Sequence, residues 1–299
     1  MEPPFTSPYA VGKKIDLLIH GGITARATIL HVYEPFNSAC TMNLLFDSDL
    51  TYLGIQGKVV LKLFDRRYAT TLRRTSGTIP WSPAFETRYA RMITDGTPAV
   101  VQSHLIKRLK AFDNNPNDPR PRDRVAHENC FQVFCEVAFC GQMRNLFDRE
   151  LEVYRLLQPL QGSEIPRLIG PVTVIEQQEF PRPTNPQCLE TPGLLLRYIE
   201  GFPLAEFPRH TPMKLWPAII EETTRTVQKI MDYGVTPEAI SPENIIVEVG
   251  VEPELRIKIR FCNFTKYKLQ REFADEVEML TAQLAFMEAL SPVFTYTLG

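Results

Sequence analysis

The sequence predicts an α+β protein in which a strand-rich first part precedes a mainly helical part. From Ile15 to Phe46, apolar and polar residues alternate and β-branched residues are frequent, which is typical of strands in one antiparallel sheet. From Trp216 to Tyr233, apolar residues recur every three or four positions, as on one face of an amphipathic helix. No internal repeat is visible.

The individual elements follow from the same patterns. The segments IDLLIH, RATILHVY and TMNLLF are predicted strands, Lys58–Phe64 is a further strand buried on at least one face, and Gly21 and Gly22 mark the first turn. The Pro/Asn/Asp-rich residues 111–124 have no apolar period and predict a loop. The predicted helices are 81–93, 100–112, 142–158, 216–233 and 272–290, and the later strands are 166–177, 193–199, 244–249 and 255–261.

Composition excludes several function classes. The 299 residues carry 33 basic and 35 acidic side chains, and this net charge of −2 gives no field that would favour nucleic acid or a membrane surface. No apolar run approaches the roughly 18 residues of a membrane helix, and the N-terminus lacks the blocks of a signal peptide. Six cysteines in a chain of this length indicate reduced thiols, so we expect an intracellular protein, cytoplasmic or nuclear.

The segment Tyr233–Val247, YGVTPEAISPENIIV, has the spacing of a kinase catalytic loop. In such a loop, His-x-Asp precedes an Asn by five residues, and a short strand follows. Asn244 fits this spacing, but Pro237 stands at the His position and Ala239 at the Asp position. Alanine has no lone pair to orient a hydroxyl nucleophile, so no catalytic residue is intact in this reading.

A lysine in a strand and a glutamate in a later helix fit the same frame. Lys62 lies in the Val-Val-Leu-Lys strand, and in kinases such a lysine contacts nucleotide phosphates and is held by a glutamate. Glu150 is the candidate partner, and Glu152, on a different face of the helix, is the alternative. A lysine at a strand edge also extends its ammonium group to solvent for purely structural reasons, and the downstream loop favours the ion pair.

The chain resembles fungal protein-kinase-like proteins, a group within the protein-kinase and aminoglycoside-phosphotransferase superfamily. The likeness rests on four segments and spans roughly residues 15–290, with 65–140 matched only loosely. These segments are GKVVLKLFDRRYA (57–69), ELEVYRLLQPLQGSEIPRLIG (150–170), LLLRYIEGFPL (194–204) and the Asp-Tyr-Gly-Val and Ile-Ser-Pro-x-Asn-Ile-Ile-Val stretches around 232–247.

The resemblance implies a bilobal protein-kinase-like fold that binds ATP between its lobes. The N-terminal arm would cover 1–14, an antiparallel-sheet N-lobe 15–200 with an insertion at about 65–140, and a shortened, mainly helical C-lobe 201–299. It further implies that Lys62 binds phosphate, Glu150 orients Lys62, and Asn244 ligates magnesium. The residues implied to form the hinge that faces adenine are Arg197, Tyr198, Ile199 and Glu200.

The chain departs from the family at the metal site and at the phosphate loop. The Asp-Phe-Gly motif falls on Asn263-Phe264-Thr265, and a neutral amide is a weaker ligand for a hard cation than a carboxylate. ATP is therefore the candidate cofactor, and we expect Mg²⁺ to bind weakly at Asn244 and Asn263. The segment Gly21–Thr24 is the only candidate for a glycine-rich loop, and a simple hairpin turn explains it at least as well.

Three functions stay open on the sequence. The first is a pseudokinase that acts by binding an unidentified protein partner. The second is an atypical or weak ATP-dependent phosphotransferase, in which Glu238 or Glu243 would have to replace the base, although neighbours on an extended loop point in opposite directions. The third is a sensor that binds ATP without metal. Only SPVFTYTLG follows the last predicted helix, which disfavours an active Ser/Thr kinase and leaves a truncated gene product as an explanation.

Overall fold

The computed structural model of this chain describes residues 7–19, 21–36, 39–78, 80–94, 124–175, 190–238, 241–250 and 256–295. The predicted helix at 100–112, nearly all of the predicted loop at 111–124 and the catalytic position Ala239 lie outside these residues. The described residues combine helices and antiparallel strand pairs, which confirms the α+β class.

The described residues form eleven strands and six α-helices. The strands are β1 (Lys14–Ile19), β2 (Ile23–Tyr33), β3 (Cys40–Phe46), β4 (Val59–Leu63), β5 (Leu168–Val174), β6 (Thr191–Arg197), β7 (Phe202–Pro203), β8 (Val235–Pro237), β9 (Ile245–Val249), β10 (Ile257–Phe261) and β11 (Tyr267–Leu269). The helices are α1 (Thr70–Thr75), α2 (Pro83–Thr94), α3 (Arg124–Leu156), α4 (Phe207–His210), α5 (Trp216–Asp232) and α6 (Glu276–Thr295).

The chain packs into two compact units. Unit 1 comprises residues 1–147 and 170–195, and unit 2 comprises residues 148–169 and 196–299. The packing therefore groups residues 148–169 with the second unit, whereas the sequence analysis assigns them to the first lobe. The lobes predicted at 15–200 and 201–299 stay a prediction.

The sheet of unit 1 closes into a barrel with the strand order β1-β2-β3-β4-β6-β5. Antiparallel pairing of the first four strands is confirmed, as in Lys14↔Thr28 between β1 and β2. Closure comes from β5, which pairs back onto β1 through Leu17↔Val174. Side chains of β1 to β4 form much of the core. Alternate residues of β1 are buried, and β3 and β4 each include three consecutive buried residues, at 42–44 and 61–63. Gly21 and Gly22 both have positive φ angles, so this segment is a hairpin turn.

A cluster of ion pairs lies in unit 1, between residues 66 and 136. The carboxylate of Glu136 binds Arg66 at 2.6 Å and Arg73 at 2.6 and 2.9 Å. Arg66 also binds Glu86 at 2.5 and 2.7 Å, and its guanidinium lies 3.8 Å from the centre of the Tyr89 ring. Two buried cations therefore face one buried carboxylate, Glu136, and one partly exposed carboxylate, Glu86, and such pairing is how buried charges are tolerated.

Unit 2 is built around the sheet β10-β9-β7 and the helix α5, which packs against β10. The apolar face of α5 is buried, and Gly234, with φ +75°, follows its last turn and donates to the carbonyl of Met231 at 2.8 Å. Gly201 brings the chain onto β9 so closely that a Cβ atom there would lie 2.5 Å from the carbonyl oxygen of Val247. Only glycine fits this contact, which fixes the segment between β6 and β7.

Candidate functional site

The loop predicted to correspond to a kinase catalytic loop begins in a buried strand. Pro237 is the last residue of β8 and pairs with Tyr267 of β11. Next to it, the exposed Glu238 donates its backbone N–H to the carbonyl of Lys266 at 3.2 Å. The structure therefore places the predicted His position inside a two-stranded ladder.

The β9–β10 hairpin brings the two predicted metal positions close together. The strands pair from Ile245↔Phe261 to Ile257↔Val249. One residue before β9, the carbonyl of Asn244 accepts a hydrogen bond from the N–H of Cys262 at 2.8 Å. Because Cys262 precedes Asn263, Asn244 and Asn263 lie at the same end of the β9–β10 pair.

The side chain of Asn263 is engaged within its own turn. Its Oδ1 atom accepts hydrogen bonds from the backbone N–H of Thr265 at 3.0 Å and from the Thr265 hydroxyl at 2.9 Å. Oδ1 is the atom through which an amide side chain binds a cation. A metal ion at Asn263 would have to compete with both donors.

Glu243, one of the two alternative bases, is directed to its own loop. Its carboxylate accepts a hydrogen bond from the Ser241 hydroxyl at 2.7 Å, and the residue is exposed. Asn244, half-buried beside it, makes no side-chain hydrogen bond with a described residue. Of the two predicted metal ligands, Asn244 therefore has the side chain that is less engaged in hydrogen bonds with the described residues.

The aromatic residue of the Asn-Phe-Thr turn anchors it to helix α3. Phe264 is 1% exposed and meets the Tyr154 ring edge-on, with centroids 5.7 Å apart, and it also contacts Phe261. Burial raises the pKa of the Tyr154 phenol well above its ordinary value, and the hydroxyl has no hydrogen-bond partner among the described residues. The packing fixes the turn relative to the part of α3 that carries Glu150.

Two ion pairs on α3 flank Glu150. Arg149 binds Glu272 at 2.5 and 3.1 Å, and Glu152 binds Arg271 at 2.6 and 2.8 Å. The hydrogen bond from Arg149 lowers the pKa of Glu272, and the one from Arg271 lowers the pKa of Glu152. Glu152, the alternative partner for Lys62, thus has an arginine partner of its own, while Glu150 is fully buried.

Lys62 lies on β4 in unit 1 and is 4% exposed. Its ammonium nitrogen lies 5.8 Å from the centre of the Phe64 ring. A lysine this deeply buried is uncommon unless its charge is compensated. The predicted ion pair with Glu150 joins residues of different units and stays a prediction.

The four predicted hinge residues line a cavity of about 860 Å³ in unit 2, which we name the basic cavity. Its walls come from the end of α3, the turn that leads into β5, residues 197–200 and the β9–β10 hairpin. Asn244, Asn263 and Glu150 do not belong to its lining. The structure therefore separates Arg197, Tyr198, Ile199 and Glu200 from the predicted metal positions.

Sequence reasoning missed most of the basic side chains of this cavity. Arg155 comes from α3, whereas Lys258 and Arg260 come from β10, and no motif joins them in the sequence. Their only sequence signal is an exposed or strand-borne positive charge, which is common on protein surfaces. Convergence on one cavity follows from the fold of unit 2.

The described residues contain neither a metal-binding cluster nor a helix that could span a membrane. No group of three or more His, Cys, Asp or Glu side chains in the described ranges could hold a metal ion. Within the same ranges, each helix is too short or too polar to span a lipid bilayer.

Comparison with known proteins identifies no family for this chain. No protein-family model matches it, and neither does any curated protein. One solved structure that it matches is the Rio2 kinase–ADP/Mg²⁺–phosphoaspartate complex from Chaetomium thermophilum, with 8% sequence identity and a TM-score of 0.40. The match covers 87% of this chain and 55% of that chain, so the chain spans about half the length of that kinase.

Proposed function

We propose that this chain is a protein-kinase-like domain, a pseudokinase, that acts by binding a protein partner rather than by transferring phosphate. The order of its elements supports this proposal: a strand with buried Lys62, a helix with buried Glu150, and a hairpin with Asn244 at its start and Asn263 after its end. The absence of a carboxylate at Ala239 removes the group that would accept the hydroxyl proton.

The strongest support for the proposal is the pair of hydrogen bonds from Thr265 to the side chain of Asn263. In an active kinase the residue at this position is an aspartate whose charge holds magnesium. Here a neutral amide stands there, and its oxygen already accepts two hydrogen bonds, at 2.9 and 3.0 Å. A positioned base contributes about 10²–10⁴ in rate, and a metal ion stabilises charge on the phosphates. Loss of both predicts no measurable transfer.

Binding of ATP without metal is the second candidate function. The burial of Lys62 favours it, because an ammonium group in a protein interior is stabilised by an anionic partner such as phosphate. Asn244, whose side chain makes no hydrogen bond with a described residue, is available to such a ligand. A protein of this kind would sense nucleotide without consuming it.

Calorimetric titration of the full chain with ATP, with and without Mg²⁺, separates these functions. Heat of binding that is independent of metal and lost in Lys62→Ala supports the sensor, and no binding under either condition supports the protein-binding pseudokinase. Binding that requires Mg²⁺, together with release of γ-phosphate, contradicts both. The matched control is Lys58→Ala, because Lys58 directly precedes β4 in the sequence and is exposed.

Restoring the missing acids tests whether the remaining site is that of a kinase. The double variant Ala239→Asp with Asn263→Asp is expected to bind Mg²⁺ and to hydrolyse ATP at a low rate, since it supplies a charged metal ligand and a base. Asn263→Asp alone is the control, because it restores a metal ligand without a base. No gain of metal binding in either variant would contradict the kinase-like assignment.

A further inference from the structure

The walls of the basic cavity are rigid backbone segments. The turn before β5 is held by Gln161, whose side chain donates to the carbonyl of Tyr154 at 2.8 Å and accepts from the N–H of Leu168 at 2.9 Å. Residues 197–200 are held by the hydrogen bond from Arg197 N–H to the Arg167 carbonyl at 2.9 Å and by the close approach at Gly201. A ligand would therefore meet a preformed site.

The cavity is positively charged although the chain is not. Its lining includes five cationic side chains and two carboxylates, which gives 5 − 2 = +3, whereas the whole chain carries −2. The cationic residues are Arg155, Arg167, Arg197, Lys258 and Arg260, and the carboxylates are Glu200 and Glu248. Charge of one sign around a concave surface concentrates the potential and attracts counter-ions.

Four of these five cations have no ion-pair partner among the described residues. Arg260 is 7% exposed and pairs with Glu248 at 2.9 Å. Arg155, Arg167, Arg197 and Lys258 are exposed and form no ion pair with a described residue. Several other cations of unit 2 do pair with carboxylates, namely Arg149, Arg225, Lys229, Lys268 and Arg271.

The β9–β10 register places three of the charged residues on one face. Lys258 lies directly opposite Glu248 in the strand register, and Arg260 is two residues further along β10. Directly opposed residues and residues two apart share a face of an antiparallel pair. Within β9 and β10, Glu248 is thus the one carboxylate that shares a face with Lys258 and Arg260, and Arg260 pairs with it.

We propose that the basic cavity is a binding site for a small molecule that carries two or more phosphate groups. Exposed arginine and lysine side chains bind phosphate oxygens through charge-assisted hydrogen bonds, and arginine does so through two nitrogens at once. Four unpaired cations exceed what one phosphate group requires. A volume of about 860 Å³ falls within the range of sites for small molecules and cofactors.

The test measures binding of inorganic tripolyphosphate to the full chain by calorimetry, without Mg²⁺. The test variant is Arg155→Gln with Lys258→Gln, which removes one cation from α3 and one from β10. The matched control is Arg209→Gln with Lys214→Gln. These two residues are also exposed, lie in unit 2 outside the cavity and form no ion pair with a described residue.

We expect the test variant to weaken tripolyphosphate binding by at least about tenfold, since each charge-assisted hydrogen bond is worth more than a neutral one. The control is expected to bind as the unaltered chain does. Binding should also weaken as salt rises from about 0.05 M to about 0.3 M, because exposed charges are screened. Equal weakening in both variants, or no binding of any phosphate probe, would overturn the proposal.

Separate titrations with ATP and with inositol hexakisphosphate identify the carrier of the phosphates. Whichever of the probes binds most tightly and depends on Arg155 and Lys258 defines the ligand class. The inference does not rest on the proposed function, because Lys62 lies outside the cavity. If ATP binding is lost in Lys62→Ala but kept in the variant with Arg155→Gln and Lys258→Gln, the result supports the proposed ATP-binding function and says nothing about the basic cavity.

Discussion

Arg149 and Glu272 form a two-point ion pair, at 2.5 and 3.1 Å, between helix α3 and the segment that follows Phe264. Glu272 also accepts a hydrogen bond from the N–H of Leu269 at 2.8 Å. Glu152, about one helical turn further along α3, forms a second ion pair with Arg271. Both pairs therefore join α3 to the segment that follows β11. Together they hold the part of α3 that carries Glu150 against β11.

These pairs predict a loss of stability in acid. Their arginines lower the pKa of Glu272 and of Glu152 in the folded state, below the ordinary value of 4.5. A group with a lowered folded pKa stabilises the protein above its unfolded pKa, and this contribution is lost as pH falls through the folded pKa. We therefore expect the free energy of unfolding to be level near neutral pH and to fall below about pH 4.5.

Denaturant unfolding at several pH values checks this expectation. Glu272→Gln should lower the free energy of unfolding at neutral pH by about 1 kcal/mol or less, because the pair is partly exposed. The same variant should show a smaller loss in acid than the unaltered chain. An identical acid response in both would show that this pair does not contribute to it.

The buried cluster of unit 1 predicts a larger effect of a single substitution. Glu136→Gln leaves Arg73 without its carboxylate partner and leaves Arg66 with Glu86 alone. Because an unpaired charge is then buried, we expect the free energy of unfolding to fall by about 3 kcal/mol. The control is Glu221→Gln, which removes an exposed pair with Arg225 and should cost less than about 0.5 kcal/mol. Equal costs would contradict the buried-charge argument.

Two glycine substitutions should act in opposite directions. Gly201→Ala places a methyl group 2.5 Å from the Val247 carbonyl oxygen, and the required shift should cost about 1–3 kcal/mol. Gly141 lies inside α3 with no atom within 4 Å of an added Cβ, so Gly141→Ala should stabilise by about 0.5–1 kcal/mol. Thermal unfolding measures both. A stabilised Gly201→Ala variant would show that this segment does not lie against β9.

Two tyrosine substitutions should also differ in sign. The Tyr154 hydroxyl is buried and has no hydrogen-bond partner among the described residues, so Tyr154→Phe should stabilise the protein by about 1 kcal/mol or more. The Tyr9 hydroxyl donates to Asp65 at 2.7 Å, so Tyr9→Phe should destabilise it by about 1 kcal/mol. Denaturant unfolding compares the two, and a loss of stability in Tyr154→Phe would indicate a partner for that hydroxyl.

Local patterns predicted many of the elements. Strand alternation identified β1 to β4, and amphipathic spacing identified α5 with Gly234 after its last turn. Helix α3 was predicted from residue 142, but it begins at Arg124. Gly141 weakens the helical signal at that point, and a single glycine in a helix costs only about 1 kcal/mol, which the rest of the helix outweighs.

The sequence proposed candidate site residues but not how they are arranged. Motif spacing alone suggested Asn244 and Asn263 as metal positions, and the register of β9 and β10 brings them to the same end of this strand pair. The hydrogen bonds from Thr265 to Asn263 depend on backbone angles of a turn, which residue types do not specify.

By itself, the sequence determined the strand and helix periods and the absence of an acidic side chain at positions 239 and 263, because these are properties of residue types and of their spacing. Tertiary structure decided the closure of the barrel through β5, the burial of Glu136 between two arginines and the convergence of Arg155, Arg197 and Lys258 on one cavity. Each of these brings together residues that are far apart in the chain. Their energies depend on distance and burial, which exist only after the chain has folded.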